Sequence, residues 1–348
     1  MNRNAFQWAV VGAGPAGIAA VGKLMDEGVN PKDILWLDPD FSVGHFARCW
    51  SQVPSNTVVQ KFNDYLNNCR AFAYERCPEE LRLDHLSPDK TCMLADMVKP
   101  LAWITGELMK QVQTHRLTVE DLHLAHRSWT LTGGSEAFLA HQVILATGAQ
   151  PVALESHHQN ALALETSLNP ELLAKAVKAH DTIGVFGASH SAILVLKNLV
   201  DLGVRRIINF YRSPCRYALD MGGWILFDNT GLKGDAATWA REHLDGMLPA
   251  NLERHLSTPE NLERFLPACD WVIGAIGFSR QHSPHLRGYG KIVHNPKVGI
   301  IAPGLFGLGI AYPEVRSDPF GNEESQVGLW KFMDYLNRVM PVWLKYTP

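Results

Sequence analysis

The sequence predicts an α/β protein with two Rossmann-like, doubly wound nucleotide-binding domains. Two fingerprints, GAGPAG from Gly12 and GASHSA from Gly187, each follow an apolar strand and precede a helix. Two further apolar runs that end in small residues, ILATGAQP from Ile144 and VIGAIGF from Val272, follow the first and the second fingerprint. Repetition of strand, tight turn and helix is typical of parallel sheets that bind a nucleotide at their carboxyl edge.

Length and charge restrict the classes of partner. The 348 residues are enough for two domains, each with its own core. A net charge of -3 indicates no basic surface for nucleic acid or for an anionic membrane, so small molecules are the expected partners. No apolar run reaches about 18 residues, which predicts a cytoplasmic protein without a membrane span.

The cysteines and histidines predict neither redox nor metal chemistry. The six cysteines contain no C-x-x-C pair, which argues against a redox dithiol or a zinc knuckle and favours ordinary reduced thiols. His157, His158, His282 and His285 form the nearest histidine clusters, but their spacing matches no zinc motif. We therefore expect no metal.

The first fingerprint predicts a pyrophosphate-binding turn. Gly12 makes the turn, Gly14 lets the backbone approach a phosphate, and Gly17 lets the helix pack close to the strand, with Ala16 beside it in the first helical turn. Asp38 ends the next strand, about 20 residues further on, where an acidic side chain accepts hydrogen bonds from ribose hydroxyls. The alternative is a glycine turn without a ligand.

The second fingerprint is less rich in glycine. Gly187 is followed by Ser189, His190 and Ser191, and Ala192 takes the place of the third glycine. These residues predict a second nucleotide site in which the backbone approaches the phosphates less closely. His190 lies inside the turn, where it either approaches the nucleotide or faces solvent.

The residue that ends the following strand predicts which nucleotide binds. Arg212 stands where the first unit carries its acid, and an arginine pairs with a 2′-phosphate. The hypothesis is therefore NADPH in preference to NADH. The alternative is that Arg212 is a solvated charge at the end of a strand.

The order of the four runs resembles that of the two-dinucleotide-binding-domain flavoproteins, which have the fold of pyridine nucleotide-disulfide oxidoreductases. This superfamily includes thioredoxin-reductase-like enzymes, flavin-containing monooxygenases, Baeyer–Villiger monooxygenases and N-hydroxylating monooxygenases. The resemblance implies FAD on the first domain and NADPH on the second, with Thr147 and Gly148 at a crossover between them. The implied domains are residues 1–155 and 276–348 for FAD and residues 156–275 for NADPH.

Three features favour the monooxygenase branch. No cysteine pair is present, and the stretch that ends Gly309-Ile310 has isoleucine where disulfide reductases carry an acid. The segment Val53-Pro-Ser-Asn56-Thr57 is similar to the one that carries an active-site asparagine in flavin-containing monooxygenases, which makes Asn56 the catalytic candidate. The alternative is a Ser-Asn-Thr turn in which Asn56 bonds its own backbone. The F-x-G-x-x-x-H signature is missing and the G-G-x-W element appears only loosely.

Two remaining segments complete the prediction. Residues 215–250 break the βαβ rhythm and form an aromatic insertion, which either covers the flavin or fills a satellite core. The C-terminal part is expected to return to the FAD domain with a helix that begins near Glu323. The insertion and the apolar tail from Val339 to Trp343 offer surface that a second copy could bury, which predicts a homodimer.

The implied activity is transfer of hydride from NADPH to FAD, followed by transfer of one oxygen atom to a small nucleophile, sulfur or nitrogen. The first alternative is a reductase or dehydrogenase for a quinone, a disulfide or a carbonyl compound. The second is a sensor that binds flavin or NADPH with little turnover.

Overall fold

A computed structural model describes residues 5–154, 160–281 and 283–346. The strands are β1 (Phe6–Val11), β2 (Ile34–Leu37), β3 (Pro54–Val58), β4 (Thr91–Met93), β5 (Gln113–His115), β6 (Asp121–Ala125), β7 (Ser128–Gly133), β8 (Glu136–Leu145), β9 (Ala149–Pro151), β10 (Ala161–Leu162), β11 (Thr182–Phe186), β12 (Arg206–Tyr211), β13 (Leu219–Asp220), β14 (Ile225–Leu226), β15 (Leu252–Leu256), β16 (Trp271–Gly274), β17 (Phe278–Arg280), β18 (His285–Arg287), β19 (Ile300–Ala302), β20 (Leu305–Gly307), β21 (Glu314–Ser317) and β22 (Glu323–Gln326). The α-helices are α1 (Pro15–Asp26), α2 (Gly44–Trp50), α3 (Val59–Asn67), α4 (Leu94–Met109), α5 (Leu164–Leu168), α6 (Pro170–Ala176), α7 (His190–Asp201), α8 (Gly234–Trp239), α9 (Pro259–Phe265) and α10 (Leu329–Trp343).

The chain forms two compact units. Unit 1 comprises the described residues of Met1–Ser51, Val58–Ala149 and Arg280–Pro348, and unit 2 comprises those of Gln52–Thr57 and Gln150–Ser279. The six residues from Gln52 to Thr57 pack with unit 2, whereas the sequence predicts them to be part of the first domain.

Unit 1 is built on a parallel sheet. The strands β20, β8, β1, β2 and β5 lie side by side in parallel, and β6 and β7 extend the sheet in antiparallel fashion along the first half of β8. Alternate residues of β1 enter different core clusters, Trp8 and Val10 on one face and Ala9 and Val11 on the other. Both faces are therefore covered, as expected for parallel strands.

The C-terminal part returns to unit 1, but its helix begins later than predicted. α10 starts at Leu329, and residues Glu323–Gln326 instead form β22, which pairs antiparallel with β21. The connecting turn is organised by Asp318, whose carboxylate accepts hydrogen bonds from the backbone N–H groups of Phe320 and Asn322. A predicted helix beginning near Glu323 is therefore wrong, because this turn directs the chain into a hairpin.

The end of α10 is fixed to the sheet of unit 1 by Trp343. Its ring stacks on Phe306 with centroids 4.7 Å apart, and its Nε1 donates to the Val298 carbonyl at 2.7 Å. We expect Trp343→Ala to lower the free energy of unfolding by about 3–5 kcal/mol, because it leaves a cavity and an unpaired carbonyl. Chemical denaturation measures this change. Val342→Ala, at a half-exposed position of the same helix, is the control, and equal losses in both variants would contradict the prediction.

Unit 2 contains a five-stranded, fully parallel sheet in the order β10, β16, β11, β12 and β15. β11 is central and leads through the Gly187 turn into α7, which repeats the strand–turn–helix unit of β1 and α1. After β12 the rhythm is interrupted by the β13–β14 hairpin, α8 and a π-helical turn from Ala240 to Leu244. The carboxyl ends of these parallel strands lie at one edge of the sheet, where nucleotides bind in such folds.

Candidate functional site

The Gly12–Gly17 turn of unit 1 is compatible only with glycine at two positions. A Cβ on Gly12, where φ is +110°, would lie 2.3 Å from the Ala146 carbonyl oxygen. A Cβ on Gly17 would lie 1.9 Å from the carbonyl oxygen of Gly12 itself. Gly14 differs, because a Cβ there would meet no atom within 4 Å. Gly12 and Gly17 therefore shape the turn, while Gly14 leaves open space above it.

The N-terminus of α1 faces that open space without a side-chain cap. Pro15 has no N–H group, and the N–H groups of Ala16 and Gly17 have no acceptor within the helix. Free N–H groups and the helix dipole attract an anion at this position. The geometry fits a pyrophosphate.

Asp38 lies beside the turn and is buried. Its Oδ2 accepts a hydrogen bond from the Ala13 N–H at 2.7 Å, and its Oδ1 accepts from the N–H groups of Asp40 and Phe41 at 2.8 and 2.7 Å. A carboxylate offers about four acceptor positions, so about one remains for a ribose hydroxyl. Asp38 thus organises the turn as well as offering a place for ribose.

Thr147, Gly148 and Gly309 are brought to the same turn by β8 and β20. A Cβ on Gly309, where φ is +80°, would lie 2.6 Å from the Ala16 Cβ, so the loop after β20 approaches α1 closely. The hydroxyls of Thr147 and of Tyr312 are buried beside each other, and that of Tyr312 also lies near Ser283, but neither makes a hydrogen bond of full geometry in the described part of the chain. Burial raises the pKa of Tyr312, which keeps this phenol protonated. These weakly paired hydroxyls leave hydrogen-bonding capacity for a polar ligand.

No sequence motif predicts four residues of this region, which are His45, Arg280, Gln281 and Tyr312. Nε2 of Gln281 lies 3.0 Å from Nε2 of His45, and the Gln281 backbone N–H donates to the Gly148 carbonyl. Arg280 lies 4.4 Å above the Tyr312 ring and donates to the Ala311 carbonyl at 2.8 Å. These positions are far apart in the sequence, and they meet because the chain that re-enters unit 1 at Arg280 adds β18 and β20 to the sheet that contains β8.

The second turn, in unit 2, repeats the geometry of the first. A Cβ on Gly187, where φ is +127°, would lie 2.3 Å from the Ala275 carbonyl oxygen and 3.1 Å from the Ala192 Cβ. Ser189 precedes α7 without capping it through its side chain, and His190 and Ser191 are the first residues of the helix. The free N–H groups of this helix end again suit an anion.

His190 points into unit 2 and not into solvent. Its ring donates a hydrogen bond to the backbone of Pro54, and its Nδ1 is buried without a partner in the described part of the chain. Burial lowers the pKa of His190 to about 4, so the imidazole is neutral near pH 7. The alternative of a solvent-facing turn residue is not what the structure shows.

This histidine predicts a pH dependence of stability. Its pKa is about 6.5 in the unfolded chain and about 4 in the folded one, so the unfolded state binds more protons between these values. Stability therefore decreases as the pH falls from 6.5 to 4, by up to about 3 kcal/mol from this group. Denaturation across this window should show a smaller slope in His190→Gln than in the wild type. The exposed His180 provides a control, and an unchanged slope in His190→Gln would contradict the assignment.

Asn56 is exposed in β3, which is extended and not a turn. Its Oδ1 accepts from the Thr57 hydroxyl at 3.2 Å, and the Ser55 hydroxyl donates to the Thr57 carbonyl at 2.6 Å. The turn in which Asn56 bonds its own backbone is therefore not formed. Asn56 belongs to unit 2, two residues after the Pro54 backbone that His190 contacts.

Arg212 follows β12 directly, as predicted, and is exposed. It forms no ion pair with any carboxylate of residues 5–154, 160–281 or 283–346. Its guanidinium is thus available to an anionic ligand at the carboxyl edge of the unit 2 sheet.

Among the described residues, the structure contains neither a metal-binding cluster nor a membrane-spanning helix. In that part of the chain, no group of three or more His, Cys, Asp or Glu side chains is arranged to hold a metal. His285 contacts Asp121 at 3.1 Å, whereas His157, His158 and His282 lie outside the described residues. None of the described helices has the length and apolar character needed to cross a bilayer.

Comparison with known proteins shows the family. No protein-family model matches the chain. The monooxygenase AgnR1 from Paecilomyces divaricatus is 36% identical over 384 aligned positions, which cover 96% of this chain and 97% of the relative. The chain belongs to that monooxygenase family.

Three solved structures share the fold of this chain over nearly all of its length. The ornithine N-hydroxylase KtzI from Kutzneria sp. 744, solved with FADred, NADP+ and L-orn, has a TM-score of 0.68 at 11% identity and covers 98% of this chain and 99% of its own. A flavin-containing monooxygenase from Stenotrophomonas maltophilia has a TM-score of 0.65 at 17% identity, with 99% of both chains covered. The bacillithiol disulfide reductase Bdr from Staphylococcus aureus has a TM-score of 0.62 at 12% identity, also with 99% of both chains covered.

These findings confirm the predicted class. The fold is that of the two-dinucleotide-binding flavoproteins, and the chain is an oxidoreductase of a monooxygenase family. Reductases and monooxygenases share this fold, so the fold alone does not separate the two branches. Membership of the family favours the monooxygenase branch.

Proposed function

We propose that the chain is a flavin-dependent monooxygenase that holds FAD on unit 1, takes electrons from NADPH on unit 2, and transfers one oxygen atom to a small sulfur or nitrogen nucleophile. The observation that carries this proposal is the similarity to a monooxygenase over 96% of the chain, and a glycine turn before a helix N-terminus in each unit supports it. Bound FAD would supply the hydride-accepting and oxygen-activating chemistry.

The residues of unit 1 would bind and orient the flavin nucleotide. The space above Gly14 and the N–H groups of Ala16 and Gly17 suit its pyrophosphate, and Asp38 offers one acceptor to ribose. The buried hydroxyls of Thr147 and Tyr312, which are only weakly paired with each other, would gain hydrogen bonds of better geometry from a polar ligand. We propose these residues, with Gly12, Gly148 and Gly309, as the FAD site.

In unit 2, the Gly187 turn and the helix end at Ser189, His190 and Ser191 would hold the NADPH pyrophosphate, and Arg212 would pair with the 2′-phosphate. Asn56 stays the candidate catalytic residue, because its exposed amide can donate to a bound ring or substrate. The rest of unit 2, including residues 215–250, would then shape access to the nucleotide.

The cysteines argue against a dithiol route. The six cysteines all lie in the described part of the chain and form no disulfide there. Burial raises the pKa of Cys69 to about 12 and that of Cys269 to about 11, so neither forms a thiolate near pH 7. A disulfide reductase needs a reactive thiolate, which these residues do not supply.

The test follows both electrons and oxygen. Purified protein is mixed anaerobically with NADPH or NADH while the visible flavin absorbance is recorded, and labelled O₂ is then admitted with a thioether or an amine. We expect faster bleaching by NADPH than by NADH, and label in the oxygenated product. Bleaching followed by hydrogen peroxide alone, with every nucleophile unchanged, would support a reductase.

A variant of Arg212 tests the proposed contact with the 2′-phosphate in the same experiment. Arg212→Gln should reduce the preference for NADPH over NADH by about tenfold and leave the reaction with NADH unchanged, because it removes one phosphate contact. An unchanged preference would contradict its assignment.

The cytoplasmic location and the homodimer stay predictions.

A further inference from the structure

A second arginine lies on the strand next to β12, the strand that Arg212 follows. Arg254 is in β15, directly in register with Asn209 of β12. Its Nε donates to the Asn209 Oδ1 at 3.0 Å, and its guanidinium lies 4.5 Å from the centroid of the Tyr211 ring. Two contacts therefore hold this long side chain in place, which reduces the entropy that a ligand contact would cost.

Asn209 connects Arg254 to the phosphate turn. This asparagine is buried, and its Nδ2 donates to the Val185 carbonyl at 3.1 Å and to the Gly187 carbonyl at 2.8 Å. Gly187 is the first glycine of the turn. The guanidinium is thus held relative to the backbone that would carry the pyrophosphate.

Arg254 is partly buried, yet it forms no ion pair with a carboxylate of the described residues. The neighbouring Glu253 is occupied by Arg206 at 2.5 Å and by His255 at 3.0 Å. Nη2 of Arg254 lies 3.8 Å from the Cys215 Sγ, but burial raises the pKa of this thiol, so Cys215 supplies no negative charge. A partly buried cation without an anion is costly unless a ligand provides one.

We propose that Arg254 is a specificity-determining residue that binds the 2′-phosphate of the nicotinamide nucleotide together with Arg212. The inference rests on the proposed binding of NADPH to unit 2. Nε of Arg254 is used by Asn209, whereas the N–H groups of Nη1 remain to meet phosphate oxygens. Arg254 lies in β15 and Arg212 directly follows the adjacent parallel strand β12, so their charges can converge on one phosphate.

The test uses two fragments that differ only in the 2′-phosphate. The flavin-loaded protein is titrated calorimetrically with 2′,5′-ADP and with 5′-AMP. In Arg254→Gln, we expect binding of 2′,5′-ADP to weaken about tenfold and binding of 5′-AMP to change less than about twofold. Arg254→Lys should restore part of the loss, since it retains the charge. Arg264→Gln is the control, because Arg264 also lies over an aromatic ring, Phe265, but is exposed and belongs to α9.

The outcomes separate this inference from the function on which it rests. If the wild type prefers 2′,5′-ADP and Arg254→Gln keeps that preference, Arg254 does not read the phosphate, although the NADPH site stands. Equal weakening of both fragments would mean that Arg254 only supports the turn, which also overturns the proposal. A wild type without any preference would overturn both. A melting temperature of Arg254→Gln equal to that of the wild type would show that the variant is folded.

Discussion

Replacing Gly17 by alanine will prevent unit 1 from forming the Gly12–Gly17 turn that we propose binds the flavin nucleotide. The added Cβ would lie 1.9 Å from the Gly12 carbonyl oxygen and 2.8 Å from its carbon, so backbone and not a movable side chain blocks it. α1 would have to shift away from β1. We expect the free energy of unfolding to fall by roughly 4 kcal/mol or more, with the protein recovered without flavin. Thermal unfolding and flavin content of the purified variant measure both effects.

Gly14→Ala is the matched control for this substitution. It adds the same methyl group three residues earlier, where φ is -75° and no atom lies within 4 Å. The apoprotein should therefore retain its melting temperature. Its affinity for FAD should nevertheless fall, because the methyl group occupies the space proposed for the pyrophosphate. Normal flavin affinity in Gly14→Ala would place the nucleotide elsewhere, and a normal melting temperature in Gly17→Ala would contradict the backbone geometry.

Asp38→Asn has the second large expected effect. The amide can retain the bonds from Asp40 and Phe41 through its oxygen, but its NH₂ group would then face the Ala13 N–H. Two donors would meet in a buried place, and the last acceptor for ribose would be lost. We expect the free energy of unfolding to fall by about 2–4 kcal/mol. Weaker FAD binding should accompany this loss.

Chemical denaturation of the apoprotein separates the two roles of Asp38. Asp40→Asn is the comparison, since Asp40 is exposed and its ion pair with Arg48 is worth at most about 1 kcal/mol. Should Asp38→Asn unfold at the wild-type denaturant concentration and lose only flavin affinity, Asp38 would serve the ligand alone.

The two glycine turns could be predicted from the sequence because local backbone geometry requires their glycines. Gly12 and Gly187 need positive φ, and a strand before and a helix after each can be read from apolar periodicity. The order of these units also predicted the fold and the family. The substrate was not readable in the same way, because pocket residues come from loops without periodicity.

Other features depend on contacts between distant parts of the chain. Nothing local in Gln52–Thr57 indicates that six residues leave one unit for the other, and the partners of Arg254 are visible only once β12 and β15 are in register. The polar residues Glu323–Gln326 carry no strand pattern, and only the Asp318 turn and pairing with β21 make them a strand. Asp38 was predicted from its place, but its three backbone partners were not.

The packing of Gln52–Thr57 with unit 2 has a consequence for expressing that unit on its own. A gene fragment that encodes Gln150–Ser279 contains every strand of the unit 2 sheet, and would look like a complete module for separate expression. It would lack Pro54, however, whose backbone receives the hydrogen bond of the buried His190 ring. In the isolated fragment, the His190 imidazole beside the Gly187 turn would lack this hydrogen-bond partner. The hexapeptide Gln52–Thr57 would therefore have to be fused to the fragment or added in trans.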